Sequence, residues 1–499
     1  MSRVIEAIGR FAADSPDRIA IESGFPSTLV SYATLSSHIT VLTDELRSHN
    51  VSTLALAGDN GAGWVVMDLG CLNAGIPVIP VPHFFSPTQV AHLFHAAGVD
   101  GVLTDSPESI RKLCEQMKLP HIEAKEITLG FLSLYLFVLP ESKTQLPEDC
   151  SKVTFTSGST GEPKGAVLTQ QAMEQVASSL AEVTGARCDD RHLSLLPYAT
   201  LLENIGGLYA PFLVGATICS PGLAAVGLSG SSGLDVNRFM GMLIITKATT
   251  CIMIPQMLHA LVAAVEAGAP KPETLRYIAV GGAPVSTHLL ERAEKLGLPV
   301  YEGYGLSEAA SVVAVNSEGV KRAGSVGKLL PHVELSFAGD GEILVGGSLF
   351  KGYLGEPGFT GKQWPTGDIG HIDEEGFLYL TGRKKHIFIT AFGRNVSPEW
   401  VERELSIEPA VAQCCVFGEA RPFNVAVIVA RSGVGEEVIR TAVNAANGRL
   451  PDYARVSSWL IADEPFSIEG GLWTGTGRPR RKQIYAFYEE AVEALYKES

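Results

Sequence analysis

Ten residues hold the densest chemistry of the chain. Between the apolar run ending at Phe155 and a second β-prone run beginning at Ala166, the segment Thr156 to Gly165 packs four hydroxyls, three glycines and one lysine. Thr156, Ser157, Gly158, Ser159, Thr160 and Gly161 come first, then Lys164 and Gly165. Glycines let backbone N–H groups approach an anion, hydroxyls donate hydrogen bonds and lysine offsets negative charge, so the segment reads as a phosphate cradle. It is not a Walker A loop, because Lys164 is followed by Gly165 and not by Ser or Thr leading into a helix. A flexible Ser/Gly linker is the plain alternative, but linkers seldom carry flanking strands and an embedded Pro-Lys-Gly. The eight cysteines are scattered and make no C-x-x-C spacing, which argues against a zinc or redox site and for small buried hydrophobes in a reducing compartment.

Such a cradle needs a rigid frame, and the surrounding sequence supplies one. Short apolar runs at 53–58, 75–81, 101–105, 216–220, 249–255 and 275–282 are bounded by Gly, Asn or Pro and alternate with helical patterns such as GWVVMDLGCLNAG at 63–75. This alternation predicts parallel sheets covered by helices, with ligands bound in the loops after the strands. Val4, Ile5, Ile8, Phe11 and Ala12 predict a first helix ended by Asp14-Ser15-Pro16, and 35–48 a second. From about Val333 the stretches ELSFAGDGEILVGG, FKGYLG and GFLYLTG predict a small antiparallel β unit, and a compact α+β segment follows Arg383. The fold class is therefore α/β, with a large N-terminal domain at 1–383 and an α+β domain at 384–499 joined at the charged turn Arg383-Lys384-Lys385-His386. GLSGSSG at 227–233 reads as a mobile loop.

Composition limits the partners. With 39 Lys+Arg against 54 Asp+Glu in 499 residues, the net charge of −15 offers no broad cationic face for nucleic acid. The start has no signal-peptide pattern, so cytoplasm is the expected location. The most apolar run, 127–140, is too short to span a bilayer and fits a buried strand or, less well, a peripheral lipid-touching loop.

The cradle resembles the phosphate-binding signature of the acyl-adenylate-forming superfamily, which includes acyl-CoA synthetases, luciferases and peptide-synthetase adenylation domains. VGGAP at 280–284, YEGYGLSE at 301–308, TGDIG at 366–370, GRKKHIFITAFGRNVSPEWVE at 382–402 and TGTGRPRRKQI at 474–484 follow in the family's order, so the resemblance covers essentially the whole chain. It implies that a carboxylic acid attacks the α-phosphate of ATP to give acyl-AMP and pyrophosphate, after which a thiol displaces AMP. By resemblance, Thr156, Ser157, Gly158, Ser159, Thr160 and Lys164 bind phosphate. Gly281, Gly282, Ala283 and Tyr304 enclose adenine, Ser307 meets phosphate and Glu308 holds Mg²⁺. Asp368 accepts the ribose hydroxyls, and Arg383 bonds the ribose or phosphate side. Lys385 stands at the family's hinge, about which the C-terminal domain rotates and brings 390–396 into the site for the second half-reaction.

Two departures from the family stand out. Its C-terminal lysine, which bridges carboxylate and ATP, maps onto Arg478, a larger planar cation, with Lys482 as a candidate helper and Arg480 and Arg481 expected to face solvent or a phosphate-bearing partner. Thr200 stands where long-chain synthetases often carry His beside the acyl carboxylate, and Glu203 either matches their acid or is structural. Asn444, Asn447, Leu450-Pro451 and the GRPRR ending look more like fatty-acyl activating enzymes than peptide-synthetase domains. The expected pocket at 199–208 and 252–258, with Tyr209 close by, is apolar and suits a fatty or otherwise apolar acid from a biosynthetic pathway. CoA is the expected acceptor, with Lys384, Arg394 and Arg480 as candidates for its phosphates. A carrier-protein phosphopantetheine or an amine is the alternative, and a non-catalytic nucleotide-binding homologue a second.

Overall fold

The computed structural model describes residues 2–497 apart from 118–122, 140–143, 157–162, 230–232, 284, 393 and 475–477. Two large sheets carry the N-terminal part. The first runs in the order 124–129, 132–138, 101–104, 54–57, 78–80, 152–156 and 164–168. Its centre is parallel and each edge is an antiparallel hairpin. The second has nine strands, and those at 300–306, 277–280, 250–253, 191–193, 217–220 and 19–23 are parallel neighbours. The strands at 54–57, 78–80, 101–104, 217–220, 250–253 and 277–280 are short and almost wholly buried, as two helix-covered faces require.

The helix Ala62–Ala74 is buried from Ala62 through Leu72, an all-round apolar pattern suited to packing between layers. Gly70 lets the neighbouring helix approach, since a Cβ there would lie 2.7 Å from a Leu42 methyl. The first two helices span Arg3–Asp14 and Tyr32–Arg47, with Ser2 and Ser31 accepting N-cap hydrogen bonds from Ile5 and Thr34.

The small β unit is a four-stranded antiparallel sheet of Glu334–Phe337, Glu342–Gly346, Gln363–Ile372 and Leu378–Arg383. FKGYLG is not one of its strands. Phe350 to Gly355 leaves that sheet and reaches the first large one, where Tyr353 bridges Ala166 and Lys351 donates to Val167 O at 2.8 Å. Across the apolar run, strands Ala124–Leu129 and Leu132–Val138 form a hairpin with Ile127, Leu129, Leu134, Leu136 and Phe137 buried and Phe131 exposed at its turn. Strands Leu228–Ser229 and Gly233–Leu234 pair around the expected mobile loop, whose tip at 230–232 lies outside the described residues.

Beyond Arg383, the helices Pro398–Ser406, Glu436–Arg449 and Arg481–Leu495 pack on a three-stranded sheet of Val411–Phe417, Asn424–Ala430 and Val456–Ile461. Asn447 fastens it through reciprocal 2.8 Å hydrogen bonds with the Val456 backbone. The apolar clusters here contain only residues from Phe388 onward. Among the described residues no helix is long and apolar enough to cross a membrane.

Candidate active site

The carboxyl ends of the parallel strands converge on one cleft, as the alternating pattern requires. Strand Lys152–Thr156 delivers Thr156 to its wall, and strand Tyr277–Val280 delivers Gly281 and Gly282. Strand Val300–Leu306 delivers Tyr304 and Ser307, and Thr200 closes the side before a short helix. Ser157, Gly158, Ser159 and Thr160 lie outside the described residues. A Cβ on Gly281 would lie 3.3 Å from Gly303 O, and Gly282 has φ +80°, so both positions favour glycine. Just past Glu308 the chain turns through Ala310 and Ser311 at φ 52° and 113°, strained values for residues with a Cβ.

A chain of polar contacts follows the cleft. Tyr304 donates to Asp368 Oδ2 at 2.6 Å, and Arg383 Nε meets Asp368 Oδ1 at 2.6 Å. Asp368 and Arg383 are directly paired across two antiparallel strands, which fixes this ion pair by register. Burial raises the Asp368 pKa, opposed by the Arg383 charge and the Tyr304 hydrogen bond. Each oxygen keeps a lone pair beyond those contacts, so two ligand hydroxyls could still be accepted.

Arg478 arrives from the C-terminal part and donates through Nη2 to Gly282 O at 2.6 Å. Its loop is closed by Arg478 N to Thr474 Oγ1 at 2.9 Å and Thr474 N to Arg478 O at 2.8 Å. Surrounding protein and then the Arg383 charge lower its pKa, yet a guanidinium starts high enough to stay charged. Lys385 lies in the turn after Arg383, its pKa lowered by desolvation and then by Arg383 and Arg478. Ala283 continues the Gly281-Gly282 turn.

Lys164 and Glu308 share a neighbour that sequence reasoning missed. The Tyr353 hydroxyl donates to Glu308 Oε1, while Lys164 Nζ stands 5.1 Å from the Tyr353 ring centroid and pairs with Glu356 Oε1 at 2.6 Å. Lys164 therefore points toward the 350–364 loop. No residue pattern in FKGYLG marks Tyr353, because the contact joins residues far apart in the chain. Glu308 is a carboxylate that could hold Mg²⁺, and no group of three metal-ligating side chains occurs among the described residues. One carboxylate suits a magnesium ion held mainly by nucleotide phosphates.

Several expectations need correction. Arg481 does not face solvent: it pairs with Glu402, including Nη2 to Oε2 at 3.1 Å, and donates to Val416 O at 3.0 Å. Lys384 pairs with Asp340 Oδ2 at 2.6 Å and Glu342 Oε2 at 2.8 Å, so any phosphate would compete with two surface carboxylates for it. Glu203 is wholly buried against His192 Nε2 at 3.1 Å and does not reach the cleft. Tyr209 turns away from the pocket and donates to Asp68 Oδ2 at 2.9 Å. Arg480 heads the last helix and donates its N–H to Leu472 O at 2.9 Å, whereas Arg394 and Lys482 are exposed.

The cleft and the cavity below it form one space of about 280 Å³. Ala199, Leu202, Gly206 and Ile252 line it as expected, but 253–258 do not. Its wall instead extends to Leu180, Pro211 and Val312, and to Asp190 and Arg276 at the far end.

Comparison with known proteins agrees with this geometry. A model of AMP-binding enzymes matches residues 8–354, and one of the AMP-binding enzyme C-terminal domain matches 385–499. The chain is 28% identical over 438 residues to the long-chain-fatty-acid–CoA ligase FadD15 of Mycobacterium bovis, covering 70% of this chain and 69% of that protein. It is 26% identical to human long-chain-fatty-acid–CoA ligase 6, covering 94% and 83%. The fold matches the anthranilate CoA ligase AuaEII in complex with anthranoyl-AMP at a TM-score of 0.82, with 20% identity over 98% of both chains. It also matches the o-succinylbenzoate CoA synthetase of Bacillus subtilis, in complex with its acyl-adenylate, at 0.77, with 24% identity over 97% of this chain and 98% of that one. The cradle strands, the glycine turn, the Tyr304–Asp368–Arg383 contacts and both family matches make this chain a member of the AMP-binding, acyl-adenylate-forming enzyme family.

Proposed function

We propose that the protein is an AMP-forming acid–thiol ligase that activates an apolar, fatty-type carboxylic acid and passes the acyl group to CoA. The observation that carries this reading is the continuity of one space, from Thr156, Tyr304 and Ser307 at the nucleotide end to the apolar cavity beyond Thr200. A carboxylate at the junction would lie beside the α-phosphate, the proximity that the first step needs. Its oxygen forms the new bond to phosphorus while the α–β phosphoanhydride bond breaks and pyrophosphate leaves. In the second step the thiol, losing its proton, attacks the acyl carbonyl and the bond to AMP breaks.

In this reading Gly281, Gly282, Ala283 and Tyr304 hold adenine, and Asp368 and Arg383 hold the ribose. Thr156, Lys164, Ser307 and the loop residues Ser157, Gly158, Ser159 and Thr160 hold phosphate. Glu308 would bind Mg²⁺, which supplies charge neutralisation on the phosphates. Arg478, a cation beside Gly282, neutralises charge as the two anions meet. Thr200 borders the carboxylate with a hydroxyl in place of an imidazole.

We divide the chain at 383/384 and place the hinge at Lys385, because the apolar clusters on either side do not mix across that turn. Rotation there would withdraw Arg478 and admit the thiol. A cytoplasmic setting suits the free cysteines, of which all but Cys188 are buried.

Pyrophosphate release with ATP and Mg²⁺ across a panel of acids, with and without CoA, tests the proposal. Release that rises with CoA is the expected result. Release indifferent to CoA would indicate a carrier-protein or amine acceptor, and silence while ATP binds would overturn the reading.

A further inference from the structure

The cavity has a floor, and its chemistry differs from its walls. Strand Tyr277–Val280 lines it from the glycine turn down to Arg276, so at about 3.3 Å per residue the wall descends about 13 Å from Gly281 to Tyr277. Thr250 and Ile252 accompany it on the next strand. At the bottom the lining becomes Asp190 and Arg276, ringed by Thr184, Ala186, Pro211 and Ala216.

Asp190 and Arg276 are locked together. Arg276 Nε donates to Asp190 Oδ1 at 2.7 Å, and Nη2 meets Oδ2. The guanidinium also reaches Gly185 O at 3.0 Å, at the end of the helix Gln170–Val183. Asp190 accepts further from Arg187 N at 2.7 Å and Thr249 Oγ1 at 2.9 Å. Both residues line the cavity, with the Asp190 side chain 6% exposed and that of Arg276 20%. Burial opposes the carboxylate charge, but hydrogen bonds from Arg276, Arg187 and Thr249 hold its pKa below the ordinary value.

We propose that the Asp190–Arg276 ion pair is the floor of the acyl site and sets the longest straight chain the protein accepts, selecting medium-length acids over long ones. This rests on the reading that the cavity holds the acyl group. The pair's hydrogen bonds are made within the protein, so the floor offers nothing to a polar chain end and stops an apolar one. A longer chain would have to part Arg276 from Asp190 and strand a buried carboxylate, a strongly unfavourable exchange. Every methylene that still finds cavity should tighten binding about fourfold, and methylenes beyond the floor should add nothing.

The test is calorimetric titration of the intact protein with octanoate, dodecanoate and octadecanoate below their micelle concentrations, with pyrophosphate release measured in parallel. In the wild type, affinity should climb from octanoate to dodecanoate and gain nothing or fall at octadecanoate. Arg276→Leu, which leaves Asp190 its neutral Arg187 N and Thr249 Oγ1 donors but removes its counter-charge, should melt lower than wild type and, where folded, bind octadecanoate at least tenfold tighter, with octanoate within about twofold. Ala186→Phe, which fills the same end without touching the ion pair, should weaken dodecanoate at least tenfold, and circular-dichroism melts establish that both variants are folded. Affinity that keeps climbing through octadecanoate in the wild type, or one length profile shared by all three proteins, overturns the floor. A length limit without pyrophosphate release would sink the ligase reading and leave the floor standing. Release with no limit would do the reverse, and no binding of any acid would overturn both.

Discussion

Two of the molecule's charge clusters contrast: one is closed within the core, and the other meets the nucleotide end of the cleft. In the first, Lys152 Nζ pairs with Asp68 Oδ1 at 2.7 Å, with both side chains 1% exposed. Asn204 and Tyr209 complete it, donating to Asp68 Oδ2 at 3.1 and 2.9 Å. It ties the strand of the phosphate cradle to the helix Ala62–Ala74 and to the π-helical turn Asn204–Tyr209, whose Gly206 lines the cavity. Burial lowers the Lys152 pKa, and the Asp68 carboxylate opposes that shift. In the second cluster, Tyr304, Asp368, Arg383 and Arg478 meet at the cleft with acceptor and donor capacity left over. A charge pair whose partners close a network across three elements acts as a fastener, whereas one with spare capacity beside a cavity is available to a ligand.

That contrast can be broken experimentally. Lys152→Met should cost about 3–5 kcal/mol of stability, because it leaves Asp68 buried and unpaired, and the double variant with Asp68→Leu should recover most of it. Calorimetric melting measures both, and the folded fraction should keep its pyrophosphate activity. Arg478→Ala should do the opposite, slowing pyrophosphate release on the order of 10²–10³-fold while leaving the melt nearly unchanged. Thioester formation from synthetic acyl-AMP, assayed separately, should persist.

Glu302 sharpens the comparison, since it lies two residues from Tyr304 yet is buried away from solvent. Burial raises its pKa from 4.5 to about 7, partly offset by Arg403 from the C-terminal part. A raised carboxyl favours the protonated native state, so its contribution to stability is present below about pH 4.5 and is lost as pH rises through about 7. Glu302→Gln should remove that dependence and gain about 3 kcal/mol on the wild type by pH 8, read from denaturant melts across the range. Tyr353→Phe should have the smallest effect, about a fivefold loss in pyrophosphate release with a raised Mg²⁺ requirement, as befits one hydrogen bond to Glu308.

Much of the second cluster was legible in the sequence, because its members sit in short ordered motifs. Tyr304 and Ser307 fall in YEGYGLSE, Asp368 in TGDIG, and Arg383 at the head of the charged turn. The parallel strands were legible for a different reason: burial on two faces demands continuous apolar runs, and these stand out between glycines and prolines. The first cluster was not legible. Lys152, Asp68, Asn204 and Tyr209 come from segments up to 141 residues apart, and each alone reads as an ordinary surface or core residue. Arg481 was misread for the same reason, since a basic triplet looks solvated until the helix Pro398–Ser406 brings Glu402 beneath it.

The sequence by itself determined the family, the strand–helix alternation and the candidate nucleotide contacts, because each depends on local spacing and residue type. Only the tertiary structure decided which charges are fasteners, that Tyr353 joins Glu308 to Lys164, and that an apolar cavity ends on Asp190 and Arg276. Those outcomes depend on which distant side chains come within a hydrogen bond of one another, and that distance is set by packing between layers.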